Sequence, residues 1–170
     1  MQNNNIILIG MPGSGKSTLG VLLARAMKYR FLDTDLLIQE REGKLLCEII
    51  AQEGMKRFLE IEGEVNAGIE AERTVIAPGG SVIYSPAAMQ HFAEIGTVVY
   101  LHVPVTELEK RLGDLKRRGV VLKPGQTLED LYEERRVYYE RYAQVTVDVT
   151  KEEVGDVLAE LVQKLRKTEE

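Results

Sequence analysis

Short apolar runs alternating with longer helical stretches predict an α/β fold, a parallel sheet covered by helices on both faces. Three observations carry that expectation. The apolar run I-I-L-I at 6–9 leads straight into a glycine-rich loop and then a helical pattern. Further short strand-like runs follow, with helical stretches between them. The chain has 170 residues, 44% hydrophobic and 29% charged, which suits one domain with a single core. It shows no internal repeat and no long linker.

Taken in order, the expected strands are 5–10, 31–33, 74–77, 97–102 and 145–148. The second, F-L-D, is short and depends on its context. The expected helices are 16–29, 35–39, 45–52, 55–71, 86–92, 106–117, 128–142 and 151–166. The last is amphipathic, with Val154, Val157, Leu158, Leu161, Val162 and Leu165 expected to face the core. Residues 116–125, K-R-R-G-V-V-L-K-P-G, fall between two helices and read as a mobile basic loop. Gly10, Asp33, Gly79 and Asp148 all stand at or just after strand ends. In sheets of this kind ligands bind beyond those ends, near the switch in strand order.

Bulk properties exclude several function classes. A net charge of −5 argues against a broad nucleic-acid surface. Cys47 is the single cysteine, which excludes an internal disulfide and a cysteine-rich zinc site. His91 and His102 are too few and too separated for a metal centre, and His102 reads as a structural histidine at a strand end. The N-terminal M-Q-N-N-N lacks a targeting signature, and the run at 6–9 is too short to span a bilayer. The expectation is a cytoplasmic monomer with no nucleic-acid or membrane partner.

Residues 10–18 read G-M-P-G-S-G-K-S-T, the phosphate-binding loop pattern in its strand–loop–helix setting. Gly10, Gly13 and Gly15 let backbone approach phosphate closely, around Pro12 and Ser14. Consecutive N–H groups and a helix N-terminus cradle the anion. Lys16 is expected to reach the β- and γ-phosphates of ATP. Ser17 is expected to place its hydroxyl on Mg2+, with Thr18 adding a hydroxyl or capping the helix.

Asp33 and Asp35 frame Thr34 in F-L-D-T-D. If the backbone stays extended, both carboxylates face one side. One can then serve a magnesium-bound water while the other meets an acceptor hydroxyl. Capping of the next helix by Thr34 or Asp35 is the alternative reading, and the two can coexist. Lys116, Arg117 and Arg118 read either as a solvated charge run or as a basic flap over the phosphates. Arg136 has Glu133 and Glu140 at pairing distance along a helix. Arg135 has none, so ligand and tertiary roles both stay open for it. Tyr138, Tyr139 and Tyr142 read as packing residues.

At this point the chain resembles the shikimate kinase family of phosphate-loop kinases. The resemblance runs through F-L-D-T-D-L-L-I-Q-E-R-E-G from Phe31, A-Q-E-G-M-K-R-F from Ala51, Gly79-Gly80, V-V-Y-L from Val98 and E-R-R-V-Y-Y from Glu134. It implies a three-layer αβα sandwich with a five-stranded parallel sheet. It also implies an acceptor-binding helical region at 35–62 and a lid at about 116–126. The implied activity is ATP-dependent phosphorylation of a small hydroxylated acid, shikimate to shikimate 3-phosphate. By resemblance Lys16, Ser17 and Asp33 serve ATP and Mg2+, and Arg111 lies against adenine. Arg118 is the lid arginine on the phosphates. Asp35 binds the ring hydroxyls of the acceptor and sits beside the attacking one, Gly79 and Gly80 contact the acceptor, and Arg135 pairs with its carboxylate.

Four departures fall in the acceptor pocket and lid. Leu59 stands where an arginine usually pairs with the acceptor carboxylate, a contact worth roughly 1.5–3 kcal/mol. Arg57 can replace it only if the helix is rotated. Ser81 replaces a third glycine, Pro78 precedes Gly79, and the lid reads Arg118-Gly119-Val120 instead of Arg-Pro-Leu. A kinase for another small hydroxylated metabolite, or a nucleotide-binding regulatory module, are the competing readings.

Overall fold

The structure is a computed structural model that describes residues 4–113, 120, 122–150 and 153–168. Strands β1 (Asn5–Ile9), β2 (Arg30–Asp33), β3 (Thr74–Ala77), β4 (Gly96–His102) and β5 (Val145–Asp148) form one sheet in the order β2-β3-β1-β4-β5. All four pairings are parallel. Strand β1 is central and buried along its whole length. Helices cover both faces of a parallel sheet, so a central strand reads as continuously apolar instead of alternating. The order turns at β1, between β3 and β4, and the crevice beyond those C-terminal ends is the expected ligand position.

The described helices are α1 (Lys16–Met27), α2 (Thr34–Glu42), α3 (Leu46–Ala67), α4 (Pro86–Ile95), α5 (Val105–Leu112), α6 (Leu128–Tyr142) and α7 (Val154–Thr168). Helix α1 packs on β2 and β3 and against α7, while α4 and α6 pack on β4. The main core joins β1, β3 and β4 to these helices through residues such as Leu8, Leu23, Ile76, Phe92, Val99 and Leu161. A second, smaller cluster of Ile38, Ile49, Phe58 and Ile61 holds α2 to α3. The expected acceptor-binding region therefore has its own packing centre beside the sheet. Among the described residues no helix is long and apolar enough to cross a membrane.

Several expected boundaries move for identifiable reasons. The two helices expected at 45–52 and 55–71 are one element, α3, interrupted at Gly54 (φ 82°, ψ 165°). That backbone conformation is open to glycine and strained for other residues, so the chain bends there without leaving the helical layer. Helix α2 begins at Thr34 because the Asp33 side chain accepts from the Asp35 backbone N–H at 3.0 Å. Helix α6 starts at a reciprocal cap: Asp130 N–H donates to Thr127 Oγ1 at 3.1 Å, and Thr127 N–H to Asp130 Oδ2 at 2.9 Å. In α7, Val157, Leu161 and Leu165 are buried as expected, but Val154 is 49% exposed. It opens the helix, ahead of the stretch that covers the core.

Candidate active site

The chain leaves β1 into residues 10–18, and Gly10, Gly13 and Gly15 take φ values of 152°, 82° and 94°. Gly15 is the N-cap of α1 and contributes no side-chain cap, so the first-turn amides keep their donors for a ligand. Ser14 is buried, and Ser17 and Thr18 are exposed on the opening turn of α1. The Lys16 ammonium donates to the carbonyls of Gly10 at 2.8 Å and Met11 at 2.9 Å. Desolvation pulls its pKa down to about 8, against the opposing pull of Asp35 and with Arg135 adding to the lowering.

Asp33 ends β2 in register with Ala77 of β3. Asp35 lies on the first turn of α2, so the extended i, i+2 arrangement of the two acids does not occur. The next helix is capped, but by Asp33 and not by Thr34 or Asp35: the chain turns into α2 one residue earlier than expected. Asp35 Oδ1 is buried and has no hydrogen-bond partner among the described residues. Burial, then the charge of Asp33, raise its carboxyl to about 6, against Lys16.

Gly79 and Gly80 follow β3 and form the meeting point of the site. A Cβ on Gly79 would stand 2.8 Å from Glu62 Oε2 and 3.1 Å from Asp35 Oδ1. On Gly80 it would stand 2.9 Å from Pro12 Cδ, 3.1 Å from an Arg135 terminal nitrogen and 3.2 Å from the Gly10 carbonyl. The phosphate loop, the acid of α2 and the guanidinium of α6 thus converge on two glycines, where any side chain would press on its neighbours. The buried Tyr139 ties this point down: its hydroxyl donates to the Gly80 carbonyl at 2.6 Å and its ring stacks on Tyr100 at 5.1 Å.

Arg135 and Arg136 separate as helical spacing requires. Arg136 is a surface residue paired with Glu133 at 3.0 Å and Glu140 at 2.9 Å. Arg135 turns inward, with its guanidinium 5.5 Å from the centre of the Tyr84 ring and a buried Nε without a partner among the described residues. An aromatic face stabilises a cation without neutralising it, which leaves Arg135 able to meet an anion. Arg57 faces away from this pocket and pairs with Glu60 at 3.2 Å and Glu64 at 3.4 Å. Leu59 packs against the small α2–α3 cluster. Arg57 therefore does not stand in for the usual arginine.

On the other side of the loop, Arg111 donates to the carbonyls of Gly13 at 3.3 Å and Val149 at 3.2 Å. It bridges the phosphate loop to the chain following β5. His102 is bonded to Asp148 at 2.6 Å and to the Tyr132 hydroxyl at 2.9 Å, a structural tie among β4, β5 and α6. Arg118 lies outside the described residues, as does most of the first half of the expected lid. Of that segment, Val120 is buried and Leu122 packs against the main core.

One buried acid beside the candidate site escapes the sequence. Glu62 of α3 is 1% exposed. Its Oε1 accepts from the Ser81 hydroxyl at 2.6 Å, and its Oε2 has no partner among the described residues. Burial is the main cause that raises its carboxyl to about 7; Asp35 adds to the rise, and Ser81, Arg135 and Lys16 oppose it. The available signal was its position on the apolar stripe of Phe58, Ile61 and Val65, where a carboxylate is out of place.

Among the described residues no cluster of three histidine, cysteine or acidic side chains could hold a metal. Magnesium, however, needs only one or two protein oxygens when phosphates supply the rest. The Asp33 carboxylate and the exposed Ser17 hydroxyl are hard oxygen donors of that kind, so the donor set fits.

The family model for shikimate kinase matches residues 12–166. The chain is 37% identical over 166 residues to the shikimate kinase of Mycobacterium avium (strain 104), covering 96% of this chain and 94% of that protein. It is 37% identical over 155 residues to that of Synechococcus elongatus, covering 89% and 80%. Among solved structures, shikimate kinase from Acinetobacter baumannii in complex with shikimate aligns with a TM-score of 0.87 at 29% identity, over 97% and 94% of the two chains. Shikimate kinase from Aquifex aeolicus aligns with a TM-score of 0.84 at 33% identity, over 96% and 97%.

Proposed function

Because the chain belongs to the shikimate kinase family, whose members are ATP-dependent small-molecule kinases, we propose that it transfers the γ-phosphoryl group of ATP to shikimate, giving shikimate 3-phosphate. The observation that carries this reading is the convergence of phosphate loop, Asp35 and Arg135 on Gly79 and Gly80.

The loop amides from Gly10 through Thr18, with Gly13, Ser14 and Gly15, hold the phosphates. Lys16 exchanges its carbonyl partners for β- and γ-phosphate oxygens. Ser17 and Asp33 would hold Mg2+, which when bound offsets phosphate charge. Arg111 flanks the adenine, and Arg118 covers the phosphates from the lid. Arg135 pairs with the acceptor carboxylate, and the backbone of Gly79 and Gly80 contacts the acceptor ring. Asp35 accepts a hydrogen bond from the attacking hydroxyl and takes its proton as the oxygen bonds to phosphorus and ADP leaves. A carboxylate raised towards neutrality is a better base for that step than an ordinary one. Catalysis here is positioning and electrostatic stabilisation, with no covalent enzyme intermediate. The same reading has the enzyme work as a cytoplasmic monomer without nucleic-acid or membrane partner.

The inward Leu59 and outward Arg57 favour a second reading, a kinase for another small hydroxylated acid. A coupled ADP-release assay over a panel of hydroxy acids separates the two. Turnover of shikimate above the rest supports the first reading. Turnover of another acid without shikimate turnover overturns it.

A further inference from the structure

Three carbonyls of the phosphate loop accept from cationic side chains. Lys16 serves Gly10 and Met11, and Arg111 serves Gly13 at 3.3 Å. The Lys16 bonds end when the ammonium turns to phosphate, but nothing in that step breaks the Arg111 bond. The peptide that Arg111 holds is also the one that shapes the turn: its other end, the Ser14 N–H, donates to the Met11 carbonyl at 3.1 Å. Arg111 is itself fixed at each nitrogen, through the Val149 carbonyl at 3.2 Å just beyond β5 and Glu107 at 3.2 Å one turn earlier on α5. Helix α5 also packs on the same glycine, since a Cβ on Gly13 would stand 3.0 Å from Leu112 Cδ2. A loop rich in glycine has the most backbone freedom to lose, so its shape depends on such outside holds.

Resting on the reading of this loop as the ATP phosphate site, we propose that Arg111 is a positioning residue for the phosphate loop. It ties the Gly13 peptide to α5 and to the chain after β5, and keeps the cradle in its phosphate-binding shape while Lys16 moves to the ligand. Glu107 sets the guanidinium through its bond to Nε. These bonds use the edge of a planar group, so its face stays available to a base. Contact with adenine and bracing of the loop are then two functions of one side chain. Only the second matters to a ligand that has phosphates and no base.

Inorganic tripolyphosphate with Mg2+ is such a ligand, and titration calorimetry gives its affinity beside that of ATP. Arg111→Leu should weaken tripolyphosphate about tenfold, the worth of one lost charge-assisted bond, and leave the acceptor KM within about twofold. Arg111→Lys keeps the charge but cannot span two carbonyls, so it should still weaken tripolyphosphate by about threefold or more. Tripolyphosphate binding unchanged in Arg111→Leu while ATP binding weakens overturns the proposal and leaves Arg111 a base contact alone. Neither ligand weakened overturns it as well. So does Arg111→Lys binding like the parent, which would reduce the effect to charge at a distance. A parent that ignores tripolyphosphate also overturns it, because its loop is then not set without a base. If Arg111→Leu does not fold, Arg111→Lys decides by the same measure. A parent that binds both ligands but phosphorylates no hydroxy acid refutes only the kinase reading, and the same titrations still judge Arg111.

Discussion

Glu62→Gln should make the free protein more stable, and only above mildly acid pH. In the folded chain the Glu62 carboxyl titrates near 7, raised from an ordinary value of 4.5. Burial and the neighbouring Asp35 charge favour its protonated form. Folding therefore binds a proton more tightly than the unfolded chain does. The stability that Glu62 contributes is fully present below pH 4.5, is lost as pH rises through about 7, and stays lost beyond. At about 1.4 kcal/mol per pH unit, a gap of that size corresponds to roughly 3 kcal/mol. Glutamine keeps an oxygen for Ser81 and carries no charge, so the variant should escape the loss. Urea unfolding of both proteins at constant ionic strength checks this. The free-energy difference should be near zero at pH 4.5 and approach about 3 kcal/mol at pH 8.5, a rise in Tm of roughly 6–12 °C for a domain of this size. Equal stabilities at pH 8.5, within about 0.5 kcal/mol, would show that the carboxyl is solvated or paired, and the geometry around Gly79 would need revision.

Arg135→Ala should raise the acceptor KM about ten- to a hundredfold, the worth of one lost charge-assisted contact, and leave the KM for ATP unchanged. Arg57→Ala, which removes only exposed ion pairs, should leave both constants within about twofold; initial-rate kinetics on the two variants would contradict the assignment if Arg57 proved the more damaging loss. Lys16 titrates near 8 in the free protein because it is desolvated, and phosphate charge will raise that value. ATP binding at pH 8.5 should therefore take up protons, and affinity should fall as pH rises beyond 8. Calorimetry in two buffers of different ionisation heat measures the uptake, and identical heats would contradict it.

What could be read from the chain alone was local. The phosphate loop announces itself because its chemistry depends on neighbouring residues. The split between Arg135 and Arg136 follows from helical spacing, and the structure pairs Arg136 while turning Arg135 inward. The acids of F-L-D-T-D show the limit of such reading: Asp33 caps α2, so a helix starts where an extended backbone was a possible reading. Gly54 breaks α3 without ending it, because packing of Phe58 and Ile61 with Ile49 holds both halves in one layer. Glu62 stayed hidden because its partners, Ser81 and the Gly79 turn, are distant in sequence and meet it only through the β3 crossover.

The wedge at Gly79 and Gly80 restricts how this enzyme can diversify. One glycine is closed in by two carboxyl oxygens, the other by Pro12 and Arg135, so a methyl group on the first displaces Asp35 or Glu62, and one on the second presses on the phosphate loop and the inward guanidinium. Evolution towards new acceptors is thereby channelled to the opposite wall. There, Leu59 packs on the α2–α3 cluster and Ser81 bonds Glu62, so positions 59 and 81 can change without a direct contact to the phosphate loop. Leu59 and Ser81, the departures noted beside an intact nucleotide loop, stand at the positions where such a constraint leaves room for change.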